Sequence, residues 1–309
     1  MISVALPVVK TRYFAEALDG VLSQTFADFE LIVVDNAADG DVRAVVERRD
    51  DARVRLVRHD RRLPVIENWN RCLGYARRDH FVLASDDDVY LPAFLAEIAA
   101  LIERHPDAGV YHTRARIIDE AGALKRLAPA CPEMETALEF LWHRMARMRE
   151  HYVSDFVYPT DRLRTAGGYV DFPGAWFSDE ATAFRHGLQG GVACSPEAAF
   201  CYRESDISLT SSSGVRVKLE AIARYEDWLR ARLAEVPDKG AAGTLLRDIR
   251  AEMPRRLERM RYRLLLEPGL RGLPGALGLV LAHGGGYRLS LMRFLKAGAL
   301  AVAARRFDR

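Results

Sequence analysis

Three consecutive carboxylates, Asp86, Asp87 and Asp88, follow the apolar run 81–84. At the end of a buried strand, adjacent carboxylates repel one another and lose hydration. A divalent cation would relieve both costs, and hard oxygen ligands suit Mg²⁺ or Mn²⁺, which would also hold a phosphate. The same stretch can instead begin a helix, with Ser85 or an Asp as its cap before Leu91. The run alone leaves these two readings open. Asp35 ends a second apolar run, 29–34, and Asp60 follows a third, 54–57.

These residues need elements to bring them together. Strands are expected over 2–7, 29–35, 54–57 and 81–84, with helices over 13–24, 41–49, 64–77 and 91–104 between and after them. Such alternation means an α/β fold with a parallel sheet and right-handed crossovers. Parallel sheets bind ligands beyond the carboxyl ends of their strands, so Pro7, Asp35, Asp60 and Asp86–Asp88 should converge on one crevice. No G-x-G-x-x-G follows the first strand and no Walker-type phosphate loop is present, which argues against a dinucleotide or P-loop fold. After residue 108 a strand is expected to 118, a loop through 132, a helix over 135–149 and a short segment at 152–158. A loop rich in Gly, Pro and aromatics then leads to a helix over 180–188 and a strand over 192–202.

The net charge of +2 over 309 residues conceals an asymmetry. Residues 215–309 carry 20 Lys and Arg against 10 Asp and Glu, leaving 25 against 33 before them. The acidic body argues against a nucleic-acid partner. Cys72, Cys131, Cys194 and Cys201 show no C-x-x-C spacing and are expected as buried, reduced thiols. His59, His112 and His186 lack metal-ligand spacing and are expected to be structural. The opening Met1-Ile-Ser-Val shows no basic region before an apolar one, so a cytoplasmic location is expected. Residues 208–214 read as a hinge, and Arg-rich helices are expected over 216–234 and 244–264. Residues 269–304 are apolar but broken by Gly272, Pro274, Gly278, Gly284–Gly286 and Gly298. That mixture suits peripheral membrane contact, internal packing or a homodimer, and no run is long enough to span a bilayer.

An ordered set of pieces resembles the family 2 glycosyltransferases, over about residues 2–213. They are Ser3-Val-Ala-Leu-Pro7, Leu22-Ser-Gln-Thr-Phe26, Phe29 to Asn36, Glu67-Asn68-Trp69-Asn70 and Ser85-Asp86-Asp87-Asp88 before Leu91-Pro92. Gly167-Gly168-Tyr169, Asp179 and Tyr202-Arg203 complete it. The acidic piece is similar to that of the spore-coat polysaccharide synthesis members. The resemblance implies a GT-A fold, with a mostly parallel Rossmann-like sheet flanked by helices and a C-terminal helical extension. It divides the chain into a nucleotide-binding half at 1–107, an acceptor-binding half at 108–213 and an extension at 214–309. The implied activity is a metal-dependent, inverting transfer of sugar from a nucleotide-sugar, a UDP-sugar being favoured, to a hydroxyl acceptor of a surface glycan or glycolipid. A sugar-1-phosphate nucleotidyltransferase and a non-catalytic nucleotide-sugar-binding protein are the alternatives.

By this resemblance Asp35 faces the base, Asp86 the ribose and Asp87 the metal, with Asp88 as a further ligand or support. Pro7, Val9, Lys10 and Asn70 border the nucleotide. Asp179, 92 residues beyond Asp87, is the expected catalytic base, with Glu180 in reserve. Asp155 and Asp171 are weak candidates for the acceptor, and Arg203 for a phosphate or a neighbouring carboxylate. Two departures stand out. Val9-Lys10 replaces the family's Tyr-Asn, and Ser205 stands where many members have a metal-binding His, which leaves Glu204 or Asp206 as substitutes.

Overall fold

The strand Ile2–Val8 (β1) is buried along its whole length. It pairs in parallel with Phe29–Asp35 (β2) on one side and His80–Leu83 (β4) on the other. Burial on both faces explains why these segments read as unbroken apolar runs rather than alternating ones. A computed structural model describes residues 1–206, 213–266 and 272–295. The strand Val54–Arg58 (β3) extends the parallel block beyond β2. Helices Phe14–Leu22 (α1), Val42–Glu47 (α2) and Val65–Tyr75 (α3) link these strands, and Phe94–Arg104 (α4) follows the acidic run. Phe14, Leu18 and Phe94 join Val4, Leu6 and Val82 in one buried core.

Beyond β4 the sheet changes character. The remaining strands are Val89–Tyr90 (β5), Val110–Ile118 (β6), Leu124–Leu127 (β7), Met134–Glu135 (β8), Val157–Pro159 (β9) and Val192–Arg203 (β10). The order is β3-β2-β1-β4-β9-β6-β10-β5, with β7 on β6 and β8 on β10. Here only β6 and β10 run parallel; the other pairings are antiparallel. The mostly parallel sheet expected from the sequence therefore holds for the first half, while the second half is mixed. β7 lies within what reads as loop and β8 at the start of the helix expected over 135–149, because their two to four residues carry no measurable periodicity. The β6–β10 register slips between Ser195 and Phe200, at Pro196, which lacks the N–H a regular ladder needs.

Helix Ala137–Met145 (α5) begins with a capping box between Thr136 and Glu139. A 3-10 turn at Val153–Asp155, helix Thr160–Thr165 (α6) and helix Ser178–Gly187 (α7) complete this half. After α7 the chain turns at Gly190, where a Cβ would come within 1.9 Å of the Asp107 carbonyl oxygen; only glycine fits.

The chain divides into two compact units, Met1–Asp171 with Ser178–Ser208, and Phe172–Phe177 with Leu209–Arg309. The second contains Val215–Glu235 (α8), Gly240–Leu266 (α9) and Gly272–His283 (α10). Phe177 stacks on Tyr225 at 4.3 Å within this unit. Many of its arginines are paired internally. Buried Glu226 meets Arg261 at 2.5 Å, Arg230 at 2.7 Å and Arg288 at 2.9 Å. Burial alone would raise its carboxyl, but these hydrogen bonds pull it down to about 2. Among the described residues no helix is long and apolar enough to cross a membrane. Most of the expected hinge at 208–214, and Gly298, lie outside the described residues.

Candidate active site

The parallel block brings the ends of β1, β2, β3 and β4 side by side, with β1 flanked by β2 and β4. A strand order that reverses in this way opens a crevice at the carboxyl ends. Asp86 closes the β1–β4 side of it: its Oδ2 accepts from Val9 N at 2.7 Å and Lys10 N at 2.8 Å. Two consecutive backbone N–H groups past a strand end need an acceptor, and a carboxylate is a strong one. Burial nevertheless pushes the Asp86 carboxyl up to about 6, with the neighbouring Asp87 charge adding to it.

Asp87 accepts from Ser85 Oγ through Oδ1, and burial raises its carboxyl. Asp88 differs from both. It is buried, with Oδ2 accepting from Ser154 Oγ at 2.5 Å and Oδ1 from Arg203 N at 3.0 Å. Burial and then the Asp87 charge hold its carboxyl well above the usual range. Three adjacent carboxyls all raised by burial form a donor set short of positive charge, and their hard oxygens match Mg²⁺ or Mn²⁺.

Asp35 lies at the end of β2. Its Oδ1 accepts from Ala38 N at 2.9 Å, and Arg58 Nε stands 3.5 Å from Oδ2. Next to it, buried Asn36 holds the following loop by accepting from Leu63 N at 2.8 Å. Arg62 reaches across the same strand ends to the carbonyls of Val9 and Ala37, at 3.2 and 3.0 Å. Pro7, Val9 and Lys10 thus border the crevice with Asp35 and Asp86. Asn70 does different work. Its Oδ1 accepts from Tyr169 N at 2.9 Å, tying α3 to the Gly167-Gly168 turn.

Arg203 is one of the largest fully buried side chains, and its donors are spent within the fold. It donates to the carbonyls of Asp87 at 2.8 Å, Asp119 at 3.3 Å and Glu120 at 3.1 Å, and to Glu16 at 2.6 Å. Its guanidinium also covers the ring of Tyr13 at 4.5 Å. The phosphate reading of Arg203 is corrected accordingly: the partner is a neighbouring carboxylate, and the side chain braces the acidic run. Glu204 pairs with Lys125 and with Arg126 at 3.1 Å, and Asp206 pairs with Arg12 at 3.4 Å. Neither of these pairs leads to the acidic run.

Asp179 stands in the first turn of α7, where a negative charge is favoured by the helix dipole. Its Oδ1 accepts from Glu180 N at 2.8 Å. Burial raises its carboxyl against the pull of Arg144. Glu180 is paired instead, with Arg144 Nε 2.9 Å from its Oε2. Tyr202 is half-buried, and its phenol is raised by burial first and then by the charges of Asp88, Asp87, Glu204 and Asp179. Asp155 is fully buried and accepts from Thr113 N at 3.1 Å, while Asp171 is exposed. The weak reading of Asp155 as an acceptor contact gives way to a role inside the sheet.

Sequence reasoning passed over Arg62, Arg144 and Ser154. Arg62 had a signal, since it follows Asp60 at a strand end. Arg144 and Ser154 had none, because their partners lie 36 and 66 residues away.

The profile of Glycosyl transferase family 2 matches residues 3–164. The chain is 29% identical over 126 residues to the putative glycosyltransferase EpsE of Bacillus subtilis, covering 40% of this chain and 45% of that protein. It is 24% identical over 195 residues to the glycosyltransferase GlyG of Streptococcus pneumoniae, covering 60% of this chain and 64% of that one. The matches thus span less than two thirds of these relatives' own length. The fold is similar to that of S. aureus TarS 1–349 in complex with UDP-GlcNAc, with a TM-score of 0.70 and 16% identity over 90% of this chain and 79% of that chain. It is also similar to the mannosyltransferase PcManGT of Pyrobaculum calidifontis in complex with GDP-Man and Mn²⁺, with a TM-score of 0.54 and 16% identity over 99% and 79% of the two chains. At such identities the likeness is one of fold. The profile covers more than half of the chain, including the four strand ends and the acidic run, and the chain belongs to glycosyl transferase family 2.

Proposed function

We propose that the chain is a metal-dependent, inverting glycosyltransferase that moves a sugar from a nucleotide-sugar to a hydroxyl acceptor. The observation that carries this reading is the set of carboxylates at the ends of the parallel strands, with Asp86 fixed by Val9 N and Lys10 N at 2.7 and 2.8 Å and Asp87 and Asp88 next to it. Asp35 accepts a hydrogen bond from the base. Asp86, fixed by Val9 N and Lys10 N, offers its second oxygen to the ribose. Asp87 would hold the Mg²⁺ or Mn²⁺, and Asp88 keeps it in position from inside the fold rather than acting as a ligand. The bound ion would neutralise charge on the departing diphosphate. Asp179 takes the proton of the acceptor hydroxyl as that oxygen attacks the anomeric carbon opposite the leaving group, which inverts the centre. A carboxyl raised by burial is a stronger base than an ordinary one, which suits this step. Glu180 fixes Arg144 beside Asp179 and is not the base.

A UDP-sugar donor and a glycan or lipid-linked acceptor are the preferred substrates, and the cytoplasm is the preferred location, with the inner face of the membrane as the alternative. The test is turnover of UDP-, GDP-, dTDP- and CMP-sugars with Mn²⁺ or Mg²⁺, with and without acceptors. One donor should be consumed in a metal-dependent way, and Asp87→Ala should weaken metal-dependent nucleotide binding. Absence of turnover across the panel, with nucleotide binding intact, would leave only a binding protein.

A further inference from the structure

A second group of metal-binding side chains lies inside the sheet, away from the strand-end crevice. His112 on β6 and Cys194 on β10 face each other across the parallel ladder. Cys131 arrives from the segment between β7 and β8, and His151 and Asp155 come from the 3-10 turn region. His112, Cys131 and Cys194 each bring a ligand atom within 4.8 Å of the others, and so do His112, His151 and Asp155. Four of the five are buried and Cys131 is half-buried.

The hydrogen bonding in this cluster is incomplete. His112 Nδ1 lies 3.0 Å from the Thr113 carbonyl oxygen and 3.5 Å from Asp155 Oδ2. Both are acceptors, so Nδ1 keeps its proton and Nε2 is the nitrogen left to present a lone pair to a metal. Yet His112 Nε2, both ring nitrogens of His151 and Asp155 Oδ2 are buried with no hydrogen-bond partner. Buried polar atoms are rarely left so, and several together point to a missing group.

We propose that Cys131 Sγ, Cys194 Sγ and His112 Nε2 bind one Zn²⁺. Two thiolates and an imidazole are borderline-soft donors that select Zn²⁺ over the Mg²⁺ or Mn²⁺ suited to Asp87. The Thr113 carbonyl takes the Nδ1 proton, with Asp155 Oδ2 3.5 Å away on the same side, and this fixes Nε2 as the ligand atom. A water takes the fourth position. Binding releases the thiol protons and the proton of His112 Nε2 to solvent. The site also bears on the crevice: Ser154, which holds Asp88, is the neighbour of Asp155 in the same turn.

The test uses the full chain, purified in reductant without chelator. Metal analysis should find about one zinc per chain, retained in Asp87→Ala and in Cys72→Ser and lost in Cys131→Ser/Cys194→Ser. Wild-type protein stripped and reloaded with Co²⁺ should show the charge-transfer absorption of thiolate ligation, an outcome that does not depend on the variant folding. His112→Gln should weaken Co²⁺ binding and alter that spectrum. Wild-type protein without zinc and without the Co²⁺ band would overturn the proposal. So would equal zinc in the double cysteine variant, or a Cys131–Cys194 disulfide in place of the metal.

Discussion

In residues 1–107 the crevice carboxylates are held by the backbone beside them: Asp86 by Val9 N and Lys10 N, Asp35 by Ala38 N. In residues 108–206 side chains from distant segments take a larger part: Glu180 is held by Arg144, and Asp155 by Thr113 Oγ1 and His112 beside Thr113 N, while Asp179 keeps a backbone donor, Glu180 N. Asp88 belongs by sequence to the first group and by bonding to the second, through Ser154 and Arg203. Backbone-held groups follow from strand register, whereas side-chain-held groups depend on tertiary partners. Changes at backbone-held groups should therefore act locally, and changes at side-chain-held groups should act through stability.

The largest effect should come at Asp179, where chemistry and burial meet. Asp179→Asn is expected to lower turnover by about 10²–10⁴-fold while nucleotide binding, read by calorimetry, survives. The acid limb of the wild-type pH–rate profile should lie above the ordinary carboxyl value of 3.8. A raised folded-state value also means that the fold binds this proton more readily than the unfolded chain does. Stability is then lost as pH rises from the unfolded through the folded value. Asp179→Asn should accordingly raise Tm at neutral pH, with the gain shrinking as pH falls below the raised value. Normal turnover in the variant would remove Asp179 from the base role.

Arg203→Ala comes next, as the sharpest probe of the side-chain-held half. It strands the carbonyls of Asp87, Asp119 and Glu120 and leaves a gap beside Tyr13. Glu16 is half exposed and can return to water, so the lost ion pair itself counts for little. A loss of about 3 kcal/mol in urea unfolding is expected. Arg58→Ala, on an Arg that is 70% exposed beside Asp35, should cost under about 0.5 kcal/mol. Equal losses at the two arginines would dissolve the contrast between the halves.

The same contrast explains what the sequence made legible. Continuous apolar runs ending in Asp35 and Asp86 located β2 and β4 to within a residue or two, because burial on both faces leaves a pattern visible without partners. β7 and β8 were missed, being too short to show one. The resemblance left Asp88 as either a further ligand or a support, and its position inside the fold was not legible, since Ser154 lies 66 residues away and Arg203 lies 115. The cysteines and histidines looked inert for a related reason. Their proximity is set by the β6–β10 register, not by any spacing along the chain.

Gly168→Ala should have an intermediate effect. Gly168 has φ of +80°, and an added Cβ would meet Asn70 Oδ1 at 2.1 Å. The left-handed conformation alone costs about 1–2 kcal/mol for a residue with a Cβ. The clash is with a side chain that can move, but only by releasing Tyr169 N. Combining Gly168→Ala with Asn70→Ala should therefore be less than additive in urea unfolding. Full additivity would mean that Asn70 does not tie the turn to α3.

The smallest effect is expected at Glu204→Gln, which tests whether this residue replaces the family's metal-binding histidine. Glu204 is 36% exposed and pairs with Lys125 and Arg126, whose hydrogen bonds lower its carboxyl, the Lys125 bond most. A lowered folded-state value contributes stability above the unfolded value, lost as pH falls through the folded one. Solvent screening at this exposure keeps that contribution to about 0.5 kcal/mol or less. The metal concentration needed for half-maximal turnover should be unchanged, because both partners of Glu204 belong to the β6–β7 hairpin and not to the acidic run. A several-fold increase in that concentration would make Glu204 a metal ligand.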